Sequence, residues 1–136
     1  MKTLISAEYA PSTVGPYSPG LSVGEWIFLS GQGGFDPTTG KMISDDIAEQ
    51  TAQTFRNIEV LLEAAGASLD NVVSCLVHLT DLSQFGAFNA IYETKFPGTK
   101  PVRTTVRADL LAGMLVEITA VARASERVTR EPIGRP

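Results

Sequence analysis

The segment MLVEITAVA, residues 114–122, has the composition of a buried strand, yet its centre is Glu117, between Val116 and Ile118. A carboxylate among aliphatic neighbours is costly unless something meets it. Upstream, PVRTTVR places Arg103, Thr105 and Arg107 on one side of a strand and Val102, Thr104 and Val106 on the other. If the two segments form a hairpin over ADLLAG, a register that pairs Arg103 with Glu117 also pairs Thr105 with Leu115, and sets guanidinium and carboxylate on one face. This spacing supports two readings equally. One is a cross-strand salt bridge that makes a subunit interface specific. The other is chemical: a planar guanidinium at a subunit seam grips a substrate carboxylate by two parallel hydrogen bonds while the nearby Glu handles a water.

Other reactive residue types give weaker signals. His78 is the only histidine, and Cys75 lies three residues before it. On a strand the two point to opposite faces, so they build neither a Cys-His pair nor a zinc site; His78 reads as structural or surface and Cys75 as core filler. GQGG lacks the spacing of a dinucleotide loop and TTGKM lacks that of a phosphate loop, so a nucleotide site is not indicated. The glycines of GQGG suit a tight turn or a close approach of backbone to ligand. Taken alone, Tyr17 reads as a packing residue. Asn89, on a helix beside aromatic residues, is equally a ligand contact or a hydrogen bond that holds the KPVR segment.

The elements that would position these groups follow from patterning. Residues 3–7 suggest a first strand, and LSVGEWIFLSG suggests two short strands about a turn at Val23 to Glu25, with Trp26, Phe28 and Ser30 on one face. Ser44, Asp45 and Asp46 offer capping oxygens to a helix running to about Ala65, with Gly66 as its stop and Ile47, Thr51, Phe55, Ile58, Leu62 and Ala65 as its apolar face. VVSCLVHLT, residues 72–80, reads as a strand with little exposed surface. Asp81 with Gln84 resembles a capping box for a second helix, about Leu82 to Phe96, with Phe85, Phe88 and Tyr92 as its buried stripe. Two strands follow, about Val102 to Arg107 and Met114 to Arg123. This order predicts an α+β fold, with both helices on one face of a mixed sheet. Val116, Ile118, Ala120 and Ala122 suit packing under the helices. The opposite row of Leu115, Glu117, Thr119 and Val121 is too apolar to face water, which predicts that another subunit covers it in a closed symmetric oligomer. A single domain over 1–123 is expected, with a tail over 124–136 of mixed charge that lies on the surface or is partly disordered.

Composition narrows the function classes. With 136 residues, 43% hydrophobic and 19% charged, the chain is long enough for a real core and has no apolar run of membrane-spanning length. One cysteine permits no internal disulfide, and the N-terminus lacks a signal-peptide pattern; a cytoplasmic location is the expectation. A formal net charge of -4, a single histidine and no interleaving of basic and aromatic residues argue against a nucleic-acid partner, and so against ribonuclease or translation-inhibitor activity.

Five segments in order, GPYSPG, SGQGGFDPTTG, QTAQTFRNIEVLLEAAGASLDNVV, FNAIYETKFPGTKPVRTTV and LVEITAVA, together resemble the RidA (YjgF) family of reactive-intermediate deaminases over about residues 10–123. The resemblance implies a chorismate-mutase-like α+β subunit, a homotrimer whose sheets line a central barrel, and three clefts between subunits. By position, it implies that Arg103 holds the substrate carboxylate, that Glu117 is the catalytic acid-base group and that Tyr17 is the site tyrosine. Ser30 and Gly31 would line the cleft with Asn89, and Thr105 would act through its main-chain carbonyl where archetypal members carry Cys. The loop between Arg103 and Glu117 is about one residue shorter than the family pattern and lacks its common proline. The implied reaction is hydrolysis of 2-aminoacrylate or 2-iminopropanoate to a 2-oxo acid and ammonia, with no metal, flavin or pyridoxal phosphate required. A trimer that binds small 2-oxo acids without turnover, as a sensor or regulator, is the alternative.

Overall fold

The computed structural model describes residues 1–124, so the expected tail lies, beyond Ala124, outside the described residues. Six strands form one mixed sheet: β1 (Lys2–Ile5), β2 (Gly20–Val23), β3 (Trp26–Leu29), β4 (Val72–Leu79), β5 (Val102–Arg107) and β6 (Val116–Arg123). Their order across the sheet is β1-β2-β3-β6-β4-β5, with β4 and β5 parallel and every other neighbouring pair antiparallel. The helices are α1 (Ile47–Ala64) and α2 (Phe85–Lys95). Among the described residues, no helix is long and apolar enough to cross a membrane.

The expected α+β layering holds because each element carries a period that buries one face. In β6, Val116, Ile118, Ala120 and Ala122 are at most 1% exposed and form the sheet's side of the core. Helix α1 lays Phe55, Ile58, Leu61 and Leu62 on that side, and α2 adds Phe88 and Tyr92. Each such side chain contributes about 1.5–3 kcal/mol by leaving water. The rings of Tyr92 and Phe96 meet Phe55 edge-on, both at 5.7 Å between centroids, and lock the helices together. Asp46 caps α1, accepting from the Glu49 N–H at 2.9 Å, and Gly66 at φ 79° ends it, as the sequence predicts.

Several expectations need correction. The first strand begins at Lys2 and ends at Ile5, earlier than 3–7. Asp81 caps by accepting from the Ser83 N–H at 2.9 Å and the Ser83 hydroxyl at 2.7 Å, and the residues that follow make one 3-10 turn (Leu82–Gln84) before α2 starts. Phe85 therefore sits at the first turn of α2 and stays exposed rather than buried. β4 is buried on its helix-facing side only: Val73 and Leu76 are exposed. The last strand starts two residues late because a turn at Ala112–Gly113 intervenes, with both residues at positive φ.

Two helices cover one face and leave the other bare. On it lie Leu21, Val23, Trp26, Phe28, Leu76, Val106 and Val121, with Phe28 46% exposed and Val102 71%. The sequence anticipated this apolar, uncovered surface, and its extent across five strands exceeds what a single row in β6 indicated.

Candidate functional site

The register decides the site, and it overturns the hairpin. β4 lies between β5 and β6, so Arg103 stands opposite Cys75 and Glu117 opposite His78. Cys75 points into the core and His78 the other way, as the alternation requires. Arg103 is therefore on the helix-covered face and Glu117 on the bare one, and the two cannot meet within one chain. The strands adjacent in the chain, β5 and β6, are not neighbours in the sheet. The β4–β5 connection contains α2, the crossover that parallel strands need, and that was the available signal.

Around Glu117 the chain gathers three other expected residues, Tyr17, Ser30 and Gly31. β6 presents the carboxylate, and the segment after β3 runs beside it through an antiparallel bridge between Gln32 and Ile118, with reciprocal 2.9 Å backbone hydrogen bonds. Gly31 is so close that a Cβ there would lie 2.7 Å from the Glu117 Cδ and 2.9 Å from Oε2. Only glycine leaves room for the carboxylate to lie against the backbone. The Ser30 hydroxyl donates to the Ser18 carbonyl at 2.7 Å, which ties the end of β3 to the loop that carries Tyr17. Tyr17 is half exposed; its oxygen accepts from the Val14 N–H at 3.4 Å, which leaves the phenolic proton free to donate. Tyr17, Gly31 and Glu117 edge a cleft of about 260 Å³ whose walls include Val14, Phe35, Leu111 and Met114, and Ser30 lines an adjoining hollow with them.

Arg103 gathers the rest. Its Nη1 donates to the Asn89 Oδ1 at 2.8 Å, and its guanidinium lies 4.6 Å from the Tyr92 ring centroid and 5.4 Å from that of Phe85. One acceptor and three aromatic rings, with Phe88 the third at 5.7 Å, fix the plane of the fork while leaving other N–H groups unspent. Thr105 follows on the same side of β5, half-buried. A groove of about 250 Å³ passes Arg103, Asn89, Glu93 and Lys100. Since β5 is one of the sheet's two outer strands, this groove opens at an edge. Behind Arg103, burial pushes the Cys75 thiol and the Tyr92 phenol above their ordinary values, and the proximity of these two groups raises Tyr92 further.

Two sets of residues escaped the sequence reading. His78 proves to be the cross-strand neighbour of Glu117, with its Nδ1 3.9 Å from Oε1. On α1, Gln50 and Asn57 are fully buried and fasten the site loops. Asn57 donates to the Gly33 and Phe35 carbonyls at 2.9 and 3.0 Å, while Gln50 accepts from the Leu115 N–H at 2.8 Å and donates to the Ser44 carbonyl at 2.7 Å. The signal was a polar stripe at Gln50, Thr54 and Asn57 beside the apolar one, spaced by four and three.

The chain is similar to known proteins along most of its length. The family model described as Endoribonuclease L-PSP matches residues 7–124. A RutC family protein of Saccharolobus solfataricus is 42% identical over 92% of this chain and all of its own length. The 2-iminobutanoate/2-iminopropanoate deaminase of Mus musculus is 39% identical over 90% of this chain and 91% of its own. Among solved structures, RidA from an Antarctic Psychrobacter superposes with a TM-score of 0.86 at 38% identity, covering 89% of this chain and 98% of that one. E. coli TdcF with bound serine superposes at 0.85 and 31%, covering 90% and 99%. The fold, the five sequence segments and these matches together establish that this chain belongs to the RidA/YjgF family.

Proposed function

We propose that the protein is an enamine/imine deaminase that hydrolyses 2-aminoacrylate, or its tautomer 2-iminopropanoate, and similar acids to 2-oxo acids and ammonia, in a site shared by two subunits of a homotrimer. One subunit supplies Arg103, Asn89 and Thr105, and its neighbour supplies Tyr17, Ser30, Gly31 and Glu117. The observation that carries this reading is the separation of Arg103 and Glu117 onto opposite faces of the sheet, each beside its own half-cleft. The bare apolar face supports the packing of further copies against Glu117's side, and the edge position of β5 lets Arg103 reach a neighbour's cleft. The deaminase names of mammalian relatives, and a solved relative holding serine, support a small amino-acid-derived carboxylate as the substrate.

The chemistry needs little. Arg103 grips the substrate carboxylate by two parallel hydrogen bonds and so fixes the C=N carbon near Glu117. Glu117 takes a proton from water as the oxygen adds to that carbon and the C=N electron pair moves to nitrogen, and it passes that proton to the nitrogen. In the resulting carbinolamine Glu117 takes the hydroxyl proton as C=O forms and delivers it to the departing nitrogen, which leaves as ammonia. Water is consumed and no electrons are exchanged. Proton handling of this kind is worth about 10²–10⁴ in rate. Tyr17, its oxygen already accepting from Val14, donates a hydrogen bond to the substrate.

The test uses 2-aminoacrylate generated from serine by a dehydratase, with pyruvate release as the readout. Removing one partner of a buried charge pair costs about 3–5 kcal/mol, so Arg103→Ala is expected to lose roughly 100-fold or more in kcat/KM with the oligomer intact. Full activity in that variant removes Arg103 from the mechanism. No acceleration by the native protein, together with a rise in melting temperature on adding 2-oxobutanoate, makes it a binding module instead.

A further inference from the structure

Glu117 is held on one side by the backbone at Gly31, and its other side faces His78. The two residues are directly paired across β6 and β4, with Nδ1 3.9 Å from Oε1 and both side chains about three-quarters covered. The His78 Nδ1 is buried and makes no hydrogen bond within the described residues. On its other flank, in register on β5, stands the apolar Val106, and Leu76 precedes it on the same face of β4. Glu117 is the only carboxylate within 4 Å of the imidazole among the described residues. A buried ring nitrogen with no hydrogen bond of its own, beside the carboxylate of the proposed site, is poorly explained as core filler.

We propose that His78 is a positioning residue for Glu117. Protonated on Nδ1, the imidazole donates to Oε1, either after a small rotation or through one bridging water, since 3.9 Å is too long for a direct hydrogen bond. This spends one carboxylate oxygen and leaves Oε2, the oxygen beside Gly31, to take the water's proton. Orientation of an acid-base group by an outer hydrogen bond follows the same logic as the partners that fix ligating side chains at metal centres. The inference rests on the deaminase reading for its kinetic consequence, but the contact between the two groups can be tested separately.

Two measurements decide it. In the serine-dehydratase assay, His78→Phe, which keeps a ring and loses the donor, is expected to lower kcat about tenfold with KM within twofold of wild type, because Arg103 still holds the carboxylate. His78→Asn, whose amide nitrogen takes the place of Nδ1, is expected to recover most of that loss. Wild-type kcat in His78→Phe, or equal loss in both variants, overturns the proposal. Because the chain has one histidine, ¹⁵N labelling of histidine gives a single imidazole to observe. The expected spectrum shows a proton on Nδ1 that Glu117→Gln displaces. An imidazole protonated only on Nε2 and indifferent to Glu117→Gln overturns the contact itself. Native protein that fails to release pyruvate but shows the Glu117-dependent Nδ1 proton sinks the deaminase reading and leaves the pairing standing.

Discussion

Replacing Gly31 by alanine perturbs the position of Glu117 by a single methyl group. Gly31 does not have positive φ, so alanine brings no backbone strain and the effect comes from the added Cβ alone. That atom would stand 2.7 Å from the carboxyl carbon of Glu117, against an ordinary contact of 3.4 Å or more, so the carboxylate must retreat by about 0.7 Å. A misplacement of about 1 Å costs on the order of 100-fold when geometry sets the rate, and a kcat loss of roughly 30-fold is expected here. KM should change little, because the Arg103 half of the site is untouched. Overpacking of this kind costs about 1–3 kcal/mol of stability, small enough for the variant to fold. The assay is pyruvate release from dehydratase-generated 2-aminoacrylate, with a melting curve to confirm folding and 2-oxobutanoate binding as a control. A folded Gly31→Ala protein that keeps the wild-type kcat refutes the reasoning: the carboxylate would then be either unconfined at Gly31 or irrelevant to the water.

Three other outcomes are expected. Asn89→Ala removes the 2.8 Å acceptor that orients Arg103, a charge-assisted hydrogen bond worth about 1.5–3 kcal/mol, so steady-state kinetics should show KM rising about tenfold with a smaller change in kcat. Phe28→Lys puts a charge on the bare apolar face, and light scattering should find the proposed trimer reduced toward the 14.5 kDa single chain with activity lost in parallel; an unchanged, active oligomer would show that this face is not an interface. Burial raises the Cys75 thiol above 9.0 and the Tyr92 phenol above 10.0, so the folded state retains protons that the unfolded chain gives up. Their contribution is complete below those ordinary values and is lost as pH climbs from them toward the raised ones. Melting temperature should therefore be level to roughly pH 8 and fall above it, with Cys75→Ala delaying the onset; an identical fall in that variant would exclude Cys75 as a cause.

Much of the positioning machinery was legible in the sequence because it is local. The period of α1, its Asp46 cap and its Gly66 stop are set within one stretch of chain, and strand alternation alone sorted Val116, Ile118, Ala120 and Ala122 from Glu117, Thr119 and Val121. The buried Gln50 and Asn57 were harder to read, since their value lies in distant groups, the Leu115 N–H and the Gly33 and Phe35 carbonyls, that only folding brings to them.

What the sequence by itself determined was which residues share a face within each strand, where the helices run, and that one sheet face would be left apolar and bare. What only the tertiary structure decided was which strands are neighbours. Side-chain alternation specifies the two sides of a strand but says nothing about what lies beside it. Strand order depends on crossover connections and on how the helices pack, which are non-local. By inserting β4 between β5 and β6, the fold turned an expected Arg103–Glu117 pair into two groups on opposite faces, and gave Glu117 a histidine as its neighbour instead.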